Sequence, residues 1–547
     1  MADTRHQRCI IIPAIKKNAV IPDQLVKKLA GKTLITRALD TALDVVSGTD
    51  ILVVTDSQEI RLICERAGVG CECNPEFVIP SLNIVAALRP VLERLAALYE
   101  RLIIYRASSP LITALDIEDA YSRFTASPGS DCLVTVKNVK YRLWEEKGND
   151  IDALLFNEDE QTVYVESRSL VMLRAEALSK QADMDGRSLR TMPYFLHDRS
   201  IEITSYLDWW VCEKILLSKH IVFVVAGYPA IGMGHVFRAL MLAHEIADHR
   251  ITFLCTKESE LAASNIAARD YRTRIQQTDS LAEEVLCLMP DLVVNDILDT
   301  SAGYMRTLQS AGLKTVNFED EGEGARLANL VVNALYRDKG IADPRLLSGH
   351  KYFCLRDEFL QAGQNHFRPG LKKLLITFGG TDHSNYTRAA LDALYQLCRE
   401  HGIQISIVAG PGYAHKDSMA EYLAQLDPLG SLISFTHATN VMSREMEQAD
   451  LAICSAGRTV YELAHMRIPA IVLAHNEREC RHVFARPENG FAYLGHMREF
   501  DGEKLRRTFQ KFLHPEFRKE YHERMARFDF TPNKARVVRK ILELLPG

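Results

Sequence analysis

Long apolar runs are missing from this 547-residue chain: none approaches the about 20 residues that a helix needs to cross a bilayer. The opening residues, MADTRHQRC, lack the charged-then-apolar profile of a signal peptide. Cysteine is sparse and scattered, twelve residues over the whole length, with Cys71 and Cys73 the only close pair. That usage speaks against a disulfide framework and for reduced thiols in a cytoplasmic protein. One C-x-C without a second pair is weak for zinc. Excess positive charge is missing too. The 66 Lys and Arg stand against 71 Asp and Glu, a net charge of −5, and no basic stripe suggests a nucleic-acid partner.

What the chain does have is alternation. Short apolar runs (RCIIIPA, ILVVT, RLIIY, IVFVV, ITFLC, LLITF, LAIC, AIVLA) are separated by amphipathic helical stretches. Strands apolar on both faces and interleaved with helices predict an α/β protein built on mostly parallel, doubly wound sheets. The length allows three or four compact units at roughly 150 residues each. The alternation restarts at IVFVVAG, which places a boundary at residues 218–221, and the polar stretch QAGQNHFRPG (361–370) reads as a hinge. The expected domains are therefore 1–218, 219–365 and 366–547. The segment 200–204 (SIEIT) reads as a strand leading into the last helix of the first domain, and Tyr141–Arg190 as irregular, with TVYVESRSLVMLR strand-like in its middle.

Open α/β sheets bind ligands at the carboxyl ends of their strands, so the loops after IVFVV, LLITF, LAIC and AIVLA are the candidates. The first is GMGH, with Gly232 and Gly234 turning the chain into a helix whose N-terminal amides can meet an anion. His235 stands at that turn, able to exchange a proton near neutral pH.

The motifs GMGH (232–235), FEDE (318–321), TFGGTD (377–382) and ADLAICSAGRTVYELAHMRIPAIVLAHNE (449–477) occur in the order of one family. Over residues 221–547 the chain resembles the UDP-sugar hydrolase of pseudaminic acid biosynthesis, a two-lobed glycosyltransferase-B (GT-B) type fold. The resemblance implies a UDP-sugar in the cleft and His235 as base for an attacking water. It further implies ligand contacts from Gly232, Gly234, Asp296, Gly379, Gly380, Thr381, Ser455, Gly457, Asn476 and Glu477, with Glu462 gripping the ribose hydroxyls. Capping of the next helix is an equal reading of Asp382. The family's Asp-His-Tyr after the DLVV-type strand is here Asp296-Ile297-Leu298. That departure opens an alternative, transfer of the sugar to an acceptor other than water.

Residues 8–217 resemble the acylneuraminate cytidylyltransferases, the CMP-sialic acid synthetases. IIIPA (10–14), LAGKTLITRAL (29–39), VVTDSQEI (53–60), SSPLITALDIEDA (108–120), VYVES (163–167) and SIEITSYLDW (200–209) carry the likeness. The fold implied is a nucleotidyltransferase-like (GT-A/Rossmann-like) domain. CTP contacts would fall on Pro13, Ala14, Lys16, Lys17, Lys32 and Ser109, and Mg²⁺ on Glu202. The family's P-A-R-G-G-S-K is here Pro13-Ala14-Ile15-Lys16-Lys17-Asn18-Ala19, which removes an arginine, two glycines and the closing lysine. Thr204 stands where a second carboxylate would serve the metal. Either the domain activates an unusual 2-keto sugar acid, or it has lost turnover and serves as a nucleotide-binding or homodimerising scaffold. The whole chain reads as a cytoplasmic nucleotide-sugar enzyme of nonulosonic (sialic-like) acid or surface-glycan synthesis.

Overall fold

A computed structural model describes residues 5–17, 21–77, 84–138, 144–147, 150–153, 164–178, 189–196, 199–228, 231–336, 343–439 and 441–546. The chain divides into two compact units, Met1–Ser218 and Lys219–Gly547.

The N-terminal unit is built on a seven-stranded sheet. Its order, edge to edge, is Thr191–Phe195, Cys132–Asn138, Tyr164–Arg174, Tyr99–Tyr105, His6–Ala14, Ile51–Thr55 and Gly70–Cys73. The strand Tyr164–Arg174 runs antiparallel to both neighbours. Its register shifts between Glu166 and Val171, and Arg168 inside that bulge has φ +57. Helices such as Leu34–Leu43, N-capped by Thr33, and Ala114–Ala126, closed by a capping box of Thr113 and Asp116, cover the sheet.

One expectation needs correction here. Residues 200–204 form no strand: the chain there is irregular, and one backbone bond, from the Ile203 amide to the Ser108 carbonyl at 2.8 Å, ties it to the turn that follows Tyr99–Tyr105. The seventh strand is Thr191–Phe195 instead, paired in parallel with Cys132–Asn138 at the sheet edge, where Pro193 is tolerated. Much of the segment expected to be irregular (141–143, 148–149, 154–163 and 179–188) lies outside the described residues.

The C-terminal unit holds two all-parallel sheets. The first runs Thr273–Ile275, Arg250–Cys255, His220–Val225, Leu292–Asp296, Lys314–Phe318, Leu330–Asn333, Leu346–Ser348. The second runs Ile433–His437, Gln404–Ala409, Lys373–Thr377, Leu451–Ser455, Ala470–Ala474, Phe491–His496. Central strands such as His220–Val225 and Leu451–Ser455 are buried throughout because helices cover both faces.

The lobes exchange chain more than a single cut allows. Phe353, Leu355 and Phe359 already pack in the core of the second lobe with Tyr461, Phe484 and Phe530. The expected hinge 361–370 is bound to the second lobe: Arg368 Nε donates to Asp450 Oδ1 at 2.5 Å and Asn365 Nδ2 to the Met446 carbonyl at 2.9 Å. The helix Asn533–Leu542 then returns, placing Val537 and Ile541 in the core of the first lobe. Among the described residues no helix is long and apolar enough to cross a membrane.

Candidate active site

The carboxyl ends of the two parallel sheets of the C-terminal unit face a cleft of about 280 Å³. Turns from both lobes line it, and they meet closely. A Cβ on Gly380 would lie 3.2 Å from the Met233 amide nitrogen, and one on Gly234 would lie 2.9 Å from Arg458 Cδ. A side chain at Gly380 would crowd the Met233 backbone, and one at Gly234 would displace the Arg458 side chain. Gly232 (φ +77) and Gly379 (φ +81) also occupy the left-handed region.

Two helices begin at the cleft without a side-chain cap, Gly234–Glu245 and Thr459–Met466. Their first amides have no partner within the helix and carry the positive end of its dipole, which suits a diphosphate. The other two helices behind the turns are closed. Asp382 accepts from the Tyr386 and Thr387 amides, both at 2.8 Å, and Asn476 Oδ1 accepts from the Glu479 amide at 2.9 Å. Asp382 therefore caps.

His235 lies in the first turn of Gly234–Glu245 and lines the cleft. Its Nδ1 is 2.5 Å from Asp296 Oδ1. Asp296 ends the strand Leu292–Asp296 and is 1% exposed. Arg238, one helical turn after His235, grips the same carboxylate with two bonds, Nε to Oδ2 at 2.7 Å and Nη2 to Oδ1 at 2.6 Å. Burial pushes the Asp296 carboxyl up, but the Arg238 charge and hydrogen bonds, helped by His235, outweigh it and hold it at about 2. An ionised Asp296 can only accept, so it holds the proton-bearing Nδ1, and in the neutral ring the lone pair is the one on Nε2. Among the described residues no hydrogen-bond partner reaches Nε2.

A second carboxylate completes the buried cluster. Glu319 pairs with Arg238 Nη1 and, at 3.4 Å, with Arg458 Nη1 of the second lobe. Burial alone would raise the Glu319 carboxyl; Arg238 and Arg458 bring it below its usual value. Two carboxylates and two guanidinium groups cancel in charge, which is how four ions can share a buried site.

Gly232, Gly234, Gly379, Gly380, Thr381, Ser455, Gly457, Glu462 and Asn476 all line the cleft with His235. Glu462 is held there by Arg356, whose Nε and Nη2 both lie 3.2 Å from Oε1. Two expected contacts lie elsewhere. Asp296 sits beneath the cleft as the partner of His235, and the Glu477 side chain is 84% exposed to solvent. Two residues on, Glu479 faces the cleft in its place, and burial raises its carboxyl above the usual range. The sequence reading missed Arg238, Glu319, Arg356, Arg458 and Glu479. Glu319 and Arg458 stand inside the quoted FEDE and SAGRTVYE motifs, which was the available signal.

The matching region of the N-terminal unit is arranged differently. Pro13 and Ala14 end the strand His6–Ala14 and are buried. The next amides are taken by a carboxylate: Lys16 N donates to Asp56 Oδ1 at 2.7 Å and Lys17 N to Oδ2 at 3.0 Å. The Lys16 ammonium lies 2.8 Å from Asp23 and 2.9 Å from Glu59, and that of Lys17 donates to the Pro75 carbonyl. Lys32 pairs with Asp40 on the following helix at 2.8 Å, and Ser109 is fully buried. Asn18 and Ala19 lie outside the described residues.

Glu202, expected to hold Mg²⁺, lies between Arg106 Nη1 at 2.7 Å and Arg168 Nε at 3.0 Å. Among the described residues no group of three His, Cys, Asp or Glu could hold a metal. A divalent ion on Glu202 would face two guanidinium charges at ion-pair distance, so these residues do not fit it.

Comparison with known proteins agrees with the two-part architecture. Residues 9–212 match the cytidylyltransferase family, and residues 374–532 the C-terminal domain of glycosyltransferase family 28. The uncharacterized protein MJ1062 of Methanocaldococcus jannaschii is 27% identical over 278 residues, 48% of this chain and 57% of that protein. The chain thus spans little more than half of that relative. The spore coat polysaccharide biosynthesis protein SpsG of Bacillus subtilis is 25% identical over 268 residues, 47% of this chain and 78% of that one. Among solved structures, Acinetobacter baumannii MurG is similar at 16% identity and TM-score 0.43, over 59% of this chain and 99% of that one. Likeness at that TM-score carries no functional argument.

Proposed function

We propose that the C-terminal unit hydrolyses a UDP-sugar with His235 as general base. The observation that supports this most directly is the fixed imidazole: Asp296 takes the Nδ1 proton, leaving the Nε2 lone pair at the cleft. In the reaction, Nε2 takes a proton from water as the water oxygen bonds to the anomeric carbon. The bond from that carbon to the β-phosphate oxygen breaks, and UDP leaves with the electron pair. Asp296 stabilises the imidazolium so formed, and the open amides of Gly234–Glu245 and Thr459–Met466 meet the growing charge on the diphosphate. The family resemblance implies a 2,4-diacetamido-trideoxyhexose as the sugar, and the unpaired cysteines fit a cytoplasmic setting. The relative named for spore coat polysaccharide synthesis is in keeping with a surface-glycan or nonulosonic acid role.

The N-terminal unit is, on this reading, a CMP-sugar synthetase-like module with reduced or lost turnover, kept as a nucleotide-binding or homodimerising scaffold. Closure of its loop amides by Asp56 and pairing of Glu202 with two arginines favour that reading over transfer from Mg²⁺–CTP.

A second reading uses the same cleft for glycosyl transfer, and the family 28 match over residues 374–532 favours it. Incubation with UDP-2,4-diacetamido sugars, with and without an acceptor, and mass spectrometry of the products separates the two. UDP release without acceptor supports hydrolysis; release that needs an acceptor supports transfer. An undiminished rate in His235→Ala would remove the base assignment.

A further inference from the structure

The short helix Glu477–Cys480 of the second lobe faces two ways. Glu479 turns into the cleft, while Arg478 and the following Arg481 reach across to the first lobe. Arg478 Nη1 donates to Asp299 Oδ1 at 2.8 Å, and Nη2 donates to the backbone carbonyl of Glu319. Its guanidinium carbon lies 4.8 Å above the Tyr336 ring, and Arg481 Nη2 donates to Glu321 Oε2 at 2.6 Å. The residue these groups surround, Glu319, holds φ +52, a backbone conformation costly for a glutamate.

Glu319 is also the residue whose carboxylate pairs with Arg238 and with Arg458. A continuous set of contacts therefore runs from the second lobe to the imidazole. Arg478 holds the Glu319 backbone, Arg458 and Arg238 share its carboxylate, Arg238 holds Asp296, and Asp296 holds His235 Nδ1. Every second-lobe member of the set stands beside groups that line the cleft: Arg458 next to Gly457 and Thr459, Arg478 next to Glu479.

We propose that Arg478 and Arg458 are positioning residues: by clasping Glu319 from the second lobe they set the Arg238–Asp296–His235 array, so that the base is aligned when the lobes are closed on the ligand. This rests on His235 acting as the base. With the clasp absent, Glu319 loses two of its second-lobe partners, its strained backbone relaxes, and Arg238 can turn away from Asp296. The imidazole then keeps its place on the helix but loses its fixed tautomer.

The test compares Arg478→Gln and Arg478→Lys in the full chain, with UDP as ligand. Arg478→Gln is expected to lower kcat for UDP release at least tenfold, to shift the acid limb of its pH profile, and to leave UDP affinity by calorimetry within about threefold. Arg478→Lys, which keeps a charged donor, should recover most of kcat. Hydrogen exchange of UDP-bound protein reads the clasp without activity: amides at 296–300 and 318–324 should exchange at least tenfold faster in Arg478→Gln than in wild type. Unchanged exchange there, or an unchanged kcat and pH profile in a folded Arg478→Gln, overturns the clasp. If His235→Ala retains full activity while exchange rises in Arg478→Gln, the base assignment falls and the clasp stands as a link between lobes.

Discussion

In the N-terminal unit the chain leaves the strand His6–Ala14 and closes on Asp56, which takes the amides of Lys16 and Lys17. In the C-terminal unit the chain leaves His220–Val225, passes Gly232 and Gly234, and starts a helix with its amides open to a cleft. Both loops leave the carboxyl end of a parallel strand, but only the second leads straight into a helix; the first reaches the helix Leu34–Leu43 by way of the short strands Lys28–Leu29 and Lys32–Thr33. They differ in what meets the free N–H groups: an internal carboxylate in one, ligand space in the other. Carboxylates are likewise used in opposite ways. Glu202 is neutralised by two arginines, whereas Asp296, also paired with arginine, keeps an oxygen on a histidine that faces the cleft. The lesson is that a phosphate-loop topology carries little chemical information until the partners of its amides are known.

The contrast breaks most readily at His235. His235→Ala should lower UDP release about 10³-fold, inside the range usual for a lost general base, with UDP binding retained. Next in size is Asp296→Asn. It leaves Arg238 short of a counter-charge and presents an amide donor to Nδ1, so kcat should fall on the order of 10²-fold. Stability should also fall by about 3 kcal/mol, read as a lower denaturant midpoint.

Acid titration probes the same carboxylate. Held at about 2 in the folded protein, Asp296 adds stability that is complete above its ordinary value near 4. That contribution disappears as pH falls from about 4 through about 2, since the unfolded chain takes up the proton first. The shift is worth about 2 kcal/mol, so wild type should lose more stability over this window than Asp296→Asn.

The smallest effect is expected in the N-terminal unit. Asp56→Ala frees two amides, which should tighten nucleotide binding there by about tenfold at most. Pyrophosphate release from CTP, Mg²⁺ and a 2-keto sugar acid should stay undetectable in wild type. A robust rate would erase the difference between the two units.

Much of the architecture was legible because buried parallel strands are apolar on both faces and stand out as runs. Where a strand lies at an edge the rule weakens: Thr191–Phe195 contains a proline and Phe491–His496 two polar or glycine positions, and neither reads as a strand. Residues 200–204 show the converse error, an alternating run that pairs with no strand and keeps a single backbone bond, to the turn at Ser108. The glycine turns were legible from spacing. The arginines were not, because a helical arginine such as Arg238 has the sequence signature of a surface residue. Its burial follows only from Asp296 and Glu319, 58 positions away and more. Asp296 shows the limit of transferring a role by position: the expected residue is at the site, one layer below the expected place.

One consequence follows from the helix Asn533–Leu542. It supplies Val537 and Ile541 to the core formed around His220–Val225, and Lys534 of the same helix pairs with Glu245 at 2.5 Å. During synthesis the N-terminal unit can complete its core early, while the first lobe must wait, its strands already made, until this late helix leaves the ribosome. Throughout that interval the apolar strip beside Gly234–Glu245 that Val537 and Ile541 later cover stays open to water.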